Sequence, residues 1–124
     1  MAMAALALCG TALSAELQTL LPEDGIGESD DGFGYSIAAD NGWVVIGAPG
    51  ENDSRGDVYI YACAIASCTL VDELNVPALP AGARFGSAVA VSGDTVAVSA
   101  PGNGIGEACV FERVAGQWQM QELP

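Results

Sequence analysis

FGYSIA at residues 33–38, followed by GAPG at residues 47–50, is a pattern that the chain contains twice. The second copy reads FGSAVA at residues 85–90 and SAPG at residues 99–102. The leading phenylalanines of the two copies are 52 residues apart, and so are the two prolines. A fixed period of this length is typical of repeat architectures, in which each unit packs against its neighbours. The sequence therefore predicts two copies of one structural unit.

Each unit begins with a tight hairpin of apolar strands. In the first copy the strands meet at residues 40–42 (DNG), where Asn-Gly supplies the positive φ angles of a type I′ turn. In the second copy they meet at residues 92–94 (SGD). The flanking residues are small or β-branched and apolar at nearly every position, which predicts strands that are buried on both faces.

Two further strands follow each hairpin. A glycine opens the third strand of each copy, at Gly56 and Gly106, and the fourth strands cover residues 69–74 and 118–123. These outer strands alternate polar and apolar residues, as more exposed strands do. The predicted fold class is therefore all-β, with two four-stranded antiparallel blades of a partial β-propeller. Each blade is expected to be buried at its first two strands and more exposed at its last two.

The order of these landmarks resembles the FG-GAP repeat, the blade unit of the integrin α-chain β-propeller and of many secreted bacterial repeat proteins. We expect each motif phenylalanine to wedge against the next blade, the small residue before Ala-Pro to permit close backbone approach, and the proline to end the strand. The motif residues are Phe33, Gly34, Gly47, Ala48 and Pro49 in the first copy and Phe85, Gly86, Ser99, Ala100 and Pro101 in the second.

The sequence predicts five segments along the chain. Residues 1–15 form an uncharged Ala- and Leu-rich run that predicts a secretory signal peptide, truncated because it lacks a basic leading region. A buried N-terminal helix is the alternative. Residues 16–32 are expected to hold the outer strand of a preceding blade and an acidic loop, 33–74 the first blade, 75–84 a linker and 85–124 the second blade. A signal peptide predicts an extracellular, periplasmic or cell-surface protein, and the run is too short to span a bilayer.

The charge is strongly acidic. Sixteen Asp and Glu residues face three Arg, with no Lys and no His, for a net charge of −13. This charge repels phosphate backbones and anionic lipids, so neither nucleic acid nor an acidic membrane is an expected partner. The lack of His removes the commonest general base, and no catalytic set of residues is recognisable, which predicts a protein that is not an enzyme. The acidity fits either solubility of a secreted protein or cation binding.

The family resemblance implies calcium, held in the integrin version by a long acidic loop between the first two strands. Here that loop is a tight turn in both copies, and Ca²⁺ prefers six to eight oxygen ligands, so the site is not carried over. No cofactor is predicted, and two other acidic stretches remain as candidates for calcium. Solvated turns are the alternative for both. The first stretch contains Asp30 and Asp31, with Glu23, Asp24 and Glu28 nearby, and the second contains Glu51, Asp53 and Asp57.

Cys63 and Cys68 flank the turn between the third and fourth strands of the first blade, where facing strand ends bring β-carbons close. They are predicted to form a disulfide in an oxidising compartment, worth about 2 kcal/mol in the chain-entropy model. Cys109 has no partner by repeat alignment and is predicted to be buried and inert. A partner outside the chain and a reactive thiol are the alternatives.

The tripeptide Arg55-Gly56-Asp57 is the adhesion motif that integrins bind. Blade structure already accounts for two of its three residues, because Gly56 and Asp57 align with Gly106 and Glu107. The tripeptide is therefore interpreted as part of the blade, with adhesion as the alternative.

Two blades bury their faces only against other blades, and repeat proteins generally need at least three units. Other blades are therefore the first expected partners, either in a longer chain or by assembly between chains. The leading hypothesis for function is a secreted, non-enzymatic segment that binds a protein or carbohydrate ligand through its loops. The alternatives are a structural repeat stalk and an accessory propeller of an enzyme whose catalytic domain lies outside this chain.

Overall fold

Two four-stranded antiparallel β-sheets make up the fold. The computed structural model describes residues 31–65, 67–102, 104 and 106–121. The strands follow one another in chain order within each sheet, as in a meander, and neither sheet closes on itself within this part of the chain. The predicted all-β class with two blades is confirmed. The elements are β1 (Ser36–Asp40), β2 (Trp43–Ala48), the single turn α1 (Glu51–Ser54), β3 (Asp57–Cys63), β4 (Cys68–Leu74), β5 (Val89–Ser92), β6 (Thr95–Ala100), β7 (Glu107–Val114) and β8 (Gln117–Gln121).

Several predictions concern residues outside those ranges. The signal peptide at 1–15, the leading strand within 16–30 and the candidate ligand Asp30 all lie outside the described residues. In the described part, no helix has the length and apolar character that a membrane span requires.

The residues of the turns determine the type of each first hairpin. Asn41 and Gly42 have φ angles of 51° and 83°, the two positive values that a type I′ turn requires. At the corresponding turn of the second sheet, Gly93 alone has a positive φ, of 57°, which suits a type II′ turn. Both turns match the right-handed twist of their strands, so each first hairpin closes with two loop residues.

The distribution of burial differs from the prediction for the first hairpins. Strands β2 and β3 are the buried strands of the first sheet, with residues 44–48 and 57–61 all buried, whereas β1 is only half-buried and Ile37 is exposed. The prediction that β1 and β5 are covered on both faces is wrong. Both strands lie at an edge of their sheet, whereas β2 and β3 lie in the middle of theirs.

The main apolar core lies between the two sheets. One face of the second sheet packs against one face of the first, and the Phe85 ring is fully buried between them. The linker contributes as well, so the blades and linker share one core. Its members are Val45, Val58, Ile60 and Leu74 from the first blade, Leu79 and Ala83 from the linker, and Phe85, Val96, Val98, Ala100, Cys109 and Phe111 from the second blade.

A second apolar cluster occupies the opposite face of the first sheet. Each of its residues is the repeat counterpart of a residue through which the second blade packs on the first. The first blade therefore presents on its far face the surface that the second blade uses for docking, which is the alternation of a stack of propeller blades. The cluster contains Phe33, Val44, Ile46, Ala48, Tyr59 and Tyr61.

The motif residues fix the backbone in the same way in both copies. Strands β2 and β6 each end directly before the motif proline. Two backbone hydrogen bonds recur at the repeat spacing and tie the Phe-Gly stretch and the residues before it to the Ala-Pro stretch. The first bond joins Gly34 N to Gly47 O (3.1 Å), and its counterpart joins Gly86 N to Ser99 O (3.0 Å). The second joins Gly50 N to Asp31 O (2.8 Å), and its counterpart joins Gly102 N to Ala83 O (2.8 Å).

Gly47 is where the two blades approach most closely through a motif residue. A Cβ atom at this position would overlap the carbonyl oxygen of Gly86 and the hydroxyl of Ser36. The Ser36 hydroxyl donates a hydrogen bond of 2.7 Å to that same carbonyl of Gly86. Glycine is therefore required at position 47 by the backbone of the neighbouring blade.

Gly47→Ala is expected to lower the free energy of unfolding by about 2–3 kcal/mol, because the new methyl group forces the blades apart. Urea unfolding followed by tryptophan fluorescence measures this loss. The matched control is Ser99→Ala at the counterpart position, which loses only the hydrogen bond that Ser99 Oγ accepts from Ala88 N (3.0 Å), worth about 1 kcal/mol. Equal losses in the two variants would contradict the close-approach explanation.

Candidate functional site

The turn after β2 has an unusual backbone. Asn52, Asp53 and Ser54 have φ angles of 54°, 57° and 61°, so three consecutive residues are left-handed. Each such residue costs on the order of 1 kcal/mol, least for Asn and Asp. The turn closes through a hydrogen bond of 2.9 Å from Gly56 N to the carbonyl of Glu51. A strained turn of this kind persists only where its surroundings hold it.

The linker to the second blade provides some of the contacts that stabilise this turn. Three backbone hydrogen bonds join the turn to residues 82–85, and Gly56 forms a parallel bridge with Phe85. A Cβ atom on Gly56 would overlap the backbone of Phe85, so the two segments touch backbone to backbone. The second blade is thus attached directly to this turn. The bonds are Gly82 N to Asp53 O (3.1 Å), Arg84 N to Ser54 O (2.8 Å) and Phe85 N to Arg55 O (2.8 Å).

Three carboxylates meet beside the turn. Glu51 comes from α1, Asp57 opens β3, and Glu73 lies near the end of β4; one carboxylate oxygen of each lies within 4.8 Å of those of the other two. The β3–β4 register brings Glu73 to this position, because it pairs Tyr59 with Glu73. Carboxylate oxygens are the ligands that hard divalent cations prefer, so this set could hold a metal ion.

Asp57 is buried to an extent that is unusual for a charged residue. Only 1% of it is exposed. Its Oδ2 accepts a hydrogen bond of 3.1 Å from Asn52 Nδ2, whereas its Oδ1 has no donor among the described residues. Burial first, and then hydrogen bonding to Glu73 and the negative charges of Glu73 and Glu51, raise the pKa of Asp57 to about 8.

Tyr59 orients one member of the cluster. Its buried hydroxyl donates to the Glu51 carboxylate and lies 2.7 Å from each of the two oxygens. Its ring packs edge to face on Phe33, with centroids 5.3 Å apart. Burial and the adjacent Glu51 carboxylate raise the pKa of Tyr59 above its usual range, so the hydroxyl remains a donor.

Only some of the predicted calcium ligands belong to the carboxylate cluster. Glu51 and Asp57 belong to the cluster, whereas Asp53 lies in the same turn with an exposed side chain and is not a member. Asp31 uses its carbonyl to accept a hydrogen bond from Gly50 N and is also outside the cluster. Sequence reasoning missed Glu73, which lies on β4 and reaches the cluster through the pairing of β4 with β3.

The Arg55-Gly56-Asp57 tripeptide is built into the blade. The Arg55 side chain donates through Nε to the carbonyl of Leu79 at 2.8 Å, and both Gly56 and Asp57 are buried. An adhesion motif must expose its aspartate, so this arrangement supports the blade interpretation.

The cysteines have distinct environments. Cys63 and Cys68 form a disulfide at the last pair of β3 and β4, with their Cα atoms 4.0 Å apart. Cys109 is a free thiol in the core between the sheets. Burial, followed by the negative charge of Glu107, raises the pKa of the Cys109 thiol, which disfavours the reactive thiolate.

The opposite end of the blades carries the hairpin turns and an aromatic pair. Trp43 of the first blade and Trp118 of the second pack edge to face, with centroids 5.5 Å apart, and the Arg113 guanidinium lies 5.1 Å above the Trp43 ring. Gly93 N donates a hydrogen bond of 2.7 Å to Asp40 Oδ2 across the two blades. A shallow depression of about 260 Å³ lies beside this pair, lined by Asn41, Gly42, Trp43, Ala62, Cys63 and Ala64.

Raising the pH from 5 to 8 in metal-free buffer is expected to lower the urea midpoint of unfolding. The folded state holds the Asp57 proton up to about pH 8, whereas the unfolded chain, with a pKa near 3.8, releases it much earlier, so rising pH favours unfolding across this window. Asp57→Asn should remove about half or more of this pH dependence. Asp53→Asn is the matched control and should keep the wild-type slope. An unchanged slope in Asp57→Asn would contradict the prediction.

The sequence comparison is consistent with this architecture. A family model for the FG-GAP repeat matches residues 15–61 and 80–111, which is more than half of the chain and includes both copies of the motif. Among curated proteins, none matches the chain. The two matched copies correspond to the two four-stranded blades, and the chain belongs to the FG-GAP repeat family.

Proposed function

We propose that this chain is a secreted or cell-surface, non-enzymatic propeller segment that binds a protein or carbohydrate ligand through its turns. The observation that carries the proposal is the end of the blades where Trp43 and Trp118 meet beside an open depression. We call this end the hairpin-turn surface; it contains the turns at 41–42, 64–67, 93–94 and 115–116.

The chemistry of the hairpin-turn surface suits recognition. Tryptophan and arginine are the residues most enriched at binding hot spots, and aromatic rings also stack on sugars through their apolar faces. Ile65 is 79% exposed at the tip of the β3–β4 turn, directly after residues that line the depression. An apolar side chain at a turn tip gains from burial against a partner.

The net charge narrows the class of ligand. At a net charge of −13, the chain attracts basic partners, does not repel neutral ones, and repels nucleic acid and anionic membranes. Asp40 and Asp94 lie on the hairpin-turn surface, both exposed, and extend this negative field to the binding end. A basic protein surface or a neutral glycan therefore fits better than an acidic ligand.

The Cys63–Cys68 disulfide supports an oxidising location. Disulfides persist in extracellular, periplasmic and cell-surface proteins and are rare in reducing compartments. The bridge closes a short turn at the hairpin-turn surface, so it also restricts the backbone that would contact a ligand.

A structural stalk or assembly module is the second candidate. It is favoured by the outer face of the second blade, where Ala97 and Val110 are only half-buried and Ala108 is exposed. Their counterparts in the first blade, Val45 among them, are buried against the neighbouring blade. Other propeller blades are the partners that such a face would take.

The binding proposal predicts that labelled full-length chain, applied to an array of extracellular proteins and glycans, binds at least one member specifically. Ile65→Asp should weaken that binding about tenfold or more, because it places a charge in the contact. Val71→Asp, at an exposed apolar position on β4, is the matched control and should bind like the wild type. No binding on the array, or equal effects of both variants, would favour the stalk instead.

The location proposal predicts that the chain, isolated from its own host under alkylating conditions, carries Cys63 and Cys68 as a disulfide and Cys109 as a thiol. Mass spectrometry of peptides measures the three states. Reduced Cys63 and Cys68 in freshly trapped protein would overturn an oxidising location. Cys68→Ser is expected to cost about 2 kcal/mol of stability, which urea unfolding measures.

A further inference from the structure

The Glu51, Asp57 and Glu73 carboxylates, together with Tyr59, form a cluster that the proposed binding surface does not use. The three acids come from α1, β3 and β4, so the fold brings them together rather than a run of sequence. Surface acids normally separate to reduce repulsion, whereas these place oxygens within 4.8 Å of one another.

Asp57 gives an independent indication that the cluster has a ligand. Only 1% of the residue is exposed, and its Oδ1 has no hydrogen-bond donor among the described residues. Buried carboxylates in proteins are paired with donors or bind cations, because an unsatisfied one costs several kcal/mol. One oxygen of the same carboxylate lies within 4.8 Å of an oxygen of Glu51 and of an oxygen of Glu73, and a metal ion between them would give the Asp57 carboxylate the partner that Oδ1 lacks.

The spacing of the oxygens fits one ion. Ca²⁺ binds oxygens at about 2.3–2.6 Å, so two ligands of the same ion are at most about 5 Å apart. The three carboxylates satisfy this limit. The amides of Asn52 and Asn75 already interact with Asp57, so further oxygen ligands lie close by, and water would complete the six to eight that Ca²⁺ takes.

We propose that Glu51, Asp57 and Glu73 bind one calcium ion at the start of β3. Tyr59 is a positioning residue, because its hydroxyl holds the Glu51 carboxylate toward the other two acids. Asp53 is not a ligand, although it lies in the same turn.

The ion would act on the joint between the blades. Glu51 belongs to the turn whose next residues, Asp53 to Arg55, bind the backbone of residues 82–85. A bound ion would link Glu51 to Asp57 on β3 and to Glu73 on β4. The left-handed turn would then be held at Glu51 by the ion and at Asp53 to Arg55 by the linker. Calcium is therefore expected to stabilise the docking of the second blade as well as the first blade itself.

The test is isothermal titration of the full chain with CaCl₂ at about pH 8, after removal of metals with EDTA. One ion per chain should bind, and saturating calcium should raise Tm by about 5 °C or more. Asp57→Asn and Glu73→Gln should each weaken binding about tenfold or more, whereas the matched control Asp53→Asn, with the same change of charge in the same turn, should bind like the wild type.

Absence of heat and of a Tm shift at about 10 mM calcium would overturn the proposal, and so would an equal loss of affinity in Asp53→Asn. Equal or tighter binding of Mg²⁺ would overturn the assignment to calcium.

A second measurement applies even if the carboxylate variants fail to fold. Tb³⁺ bound in the cluster should luminesce on excitation of the nearby tyrosine, and calcium should displace it. Tyr59→Phe keeps all three carboxylates and is expected to reduce this luminescence about threefold or more while Tb³⁺ still binds. Luminescence that is unchanged in Tyr59→Phe, or that calcium does not displace, would place the ion elsewhere and overturn the proposal.

Discussion

Direct backbone contact between the α1 turn and residues 82–86 is the constraint on which the two-blade arrangement depends. Gly47, Gly56 and Gly86 let carbonyls of one blade reach the backbone of the other at distances that no side chain permits. Because these contacts fix the spacing of the sheets, the apolar faces meet at a distance that Phe85 and its neighbours fill. The spacing of the two blades and the filling of the core between them both follow from this short stretch of backbone.

The junction and the acidic cluster share one segment of chain. Asp53 and Ser54 direct their carbonyls toward the linker, where they accept hydrogen bonds from Gly82 N and Arg84 N, while the Glu51 carboxylate accepts a hydrogen bond from the Tyr59 hydroxyl. The strain of three left-handed residues is offset partly by hydrogen bonds within the turn and partly by those that the linker and Phe85 donate to it. A change in the linker is therefore expected to affect the acidic cluster, and the reverse, because the same turn contacts both.

The repeat, the hairpin turns and the motif contacts could be predicted from the sequence, because each is a local property repeated twice. Glu73 could not. Counting back along β3 and β4 from the facing Cys63 and Cys68 would place Asp72 opposite Tyr59, but a register shift at Ile60 and Tyr61 brings Glu73 there instead. A bulge of one residue leaves no signature in composition. The half-exposure of β1 was equally hidden, since an apolar sequence does not reveal which strand lies at an edge.

The joint built around Gly47 and Ser36 occurs once among the residues that the structure describes. Their counterparts are Ser99 and Ala88, so the second blade has a side chain where close approach needs none, and a methyl group where the hydroxyl donor stood. A further blade docking there cannot reproduce the first joint. A blade added at this face would meet Ser99 and Ala88 in place of Gly47 and Ser36, so the spacing and the hydrogen bonding of that joint would differ from those of the joint within the pair.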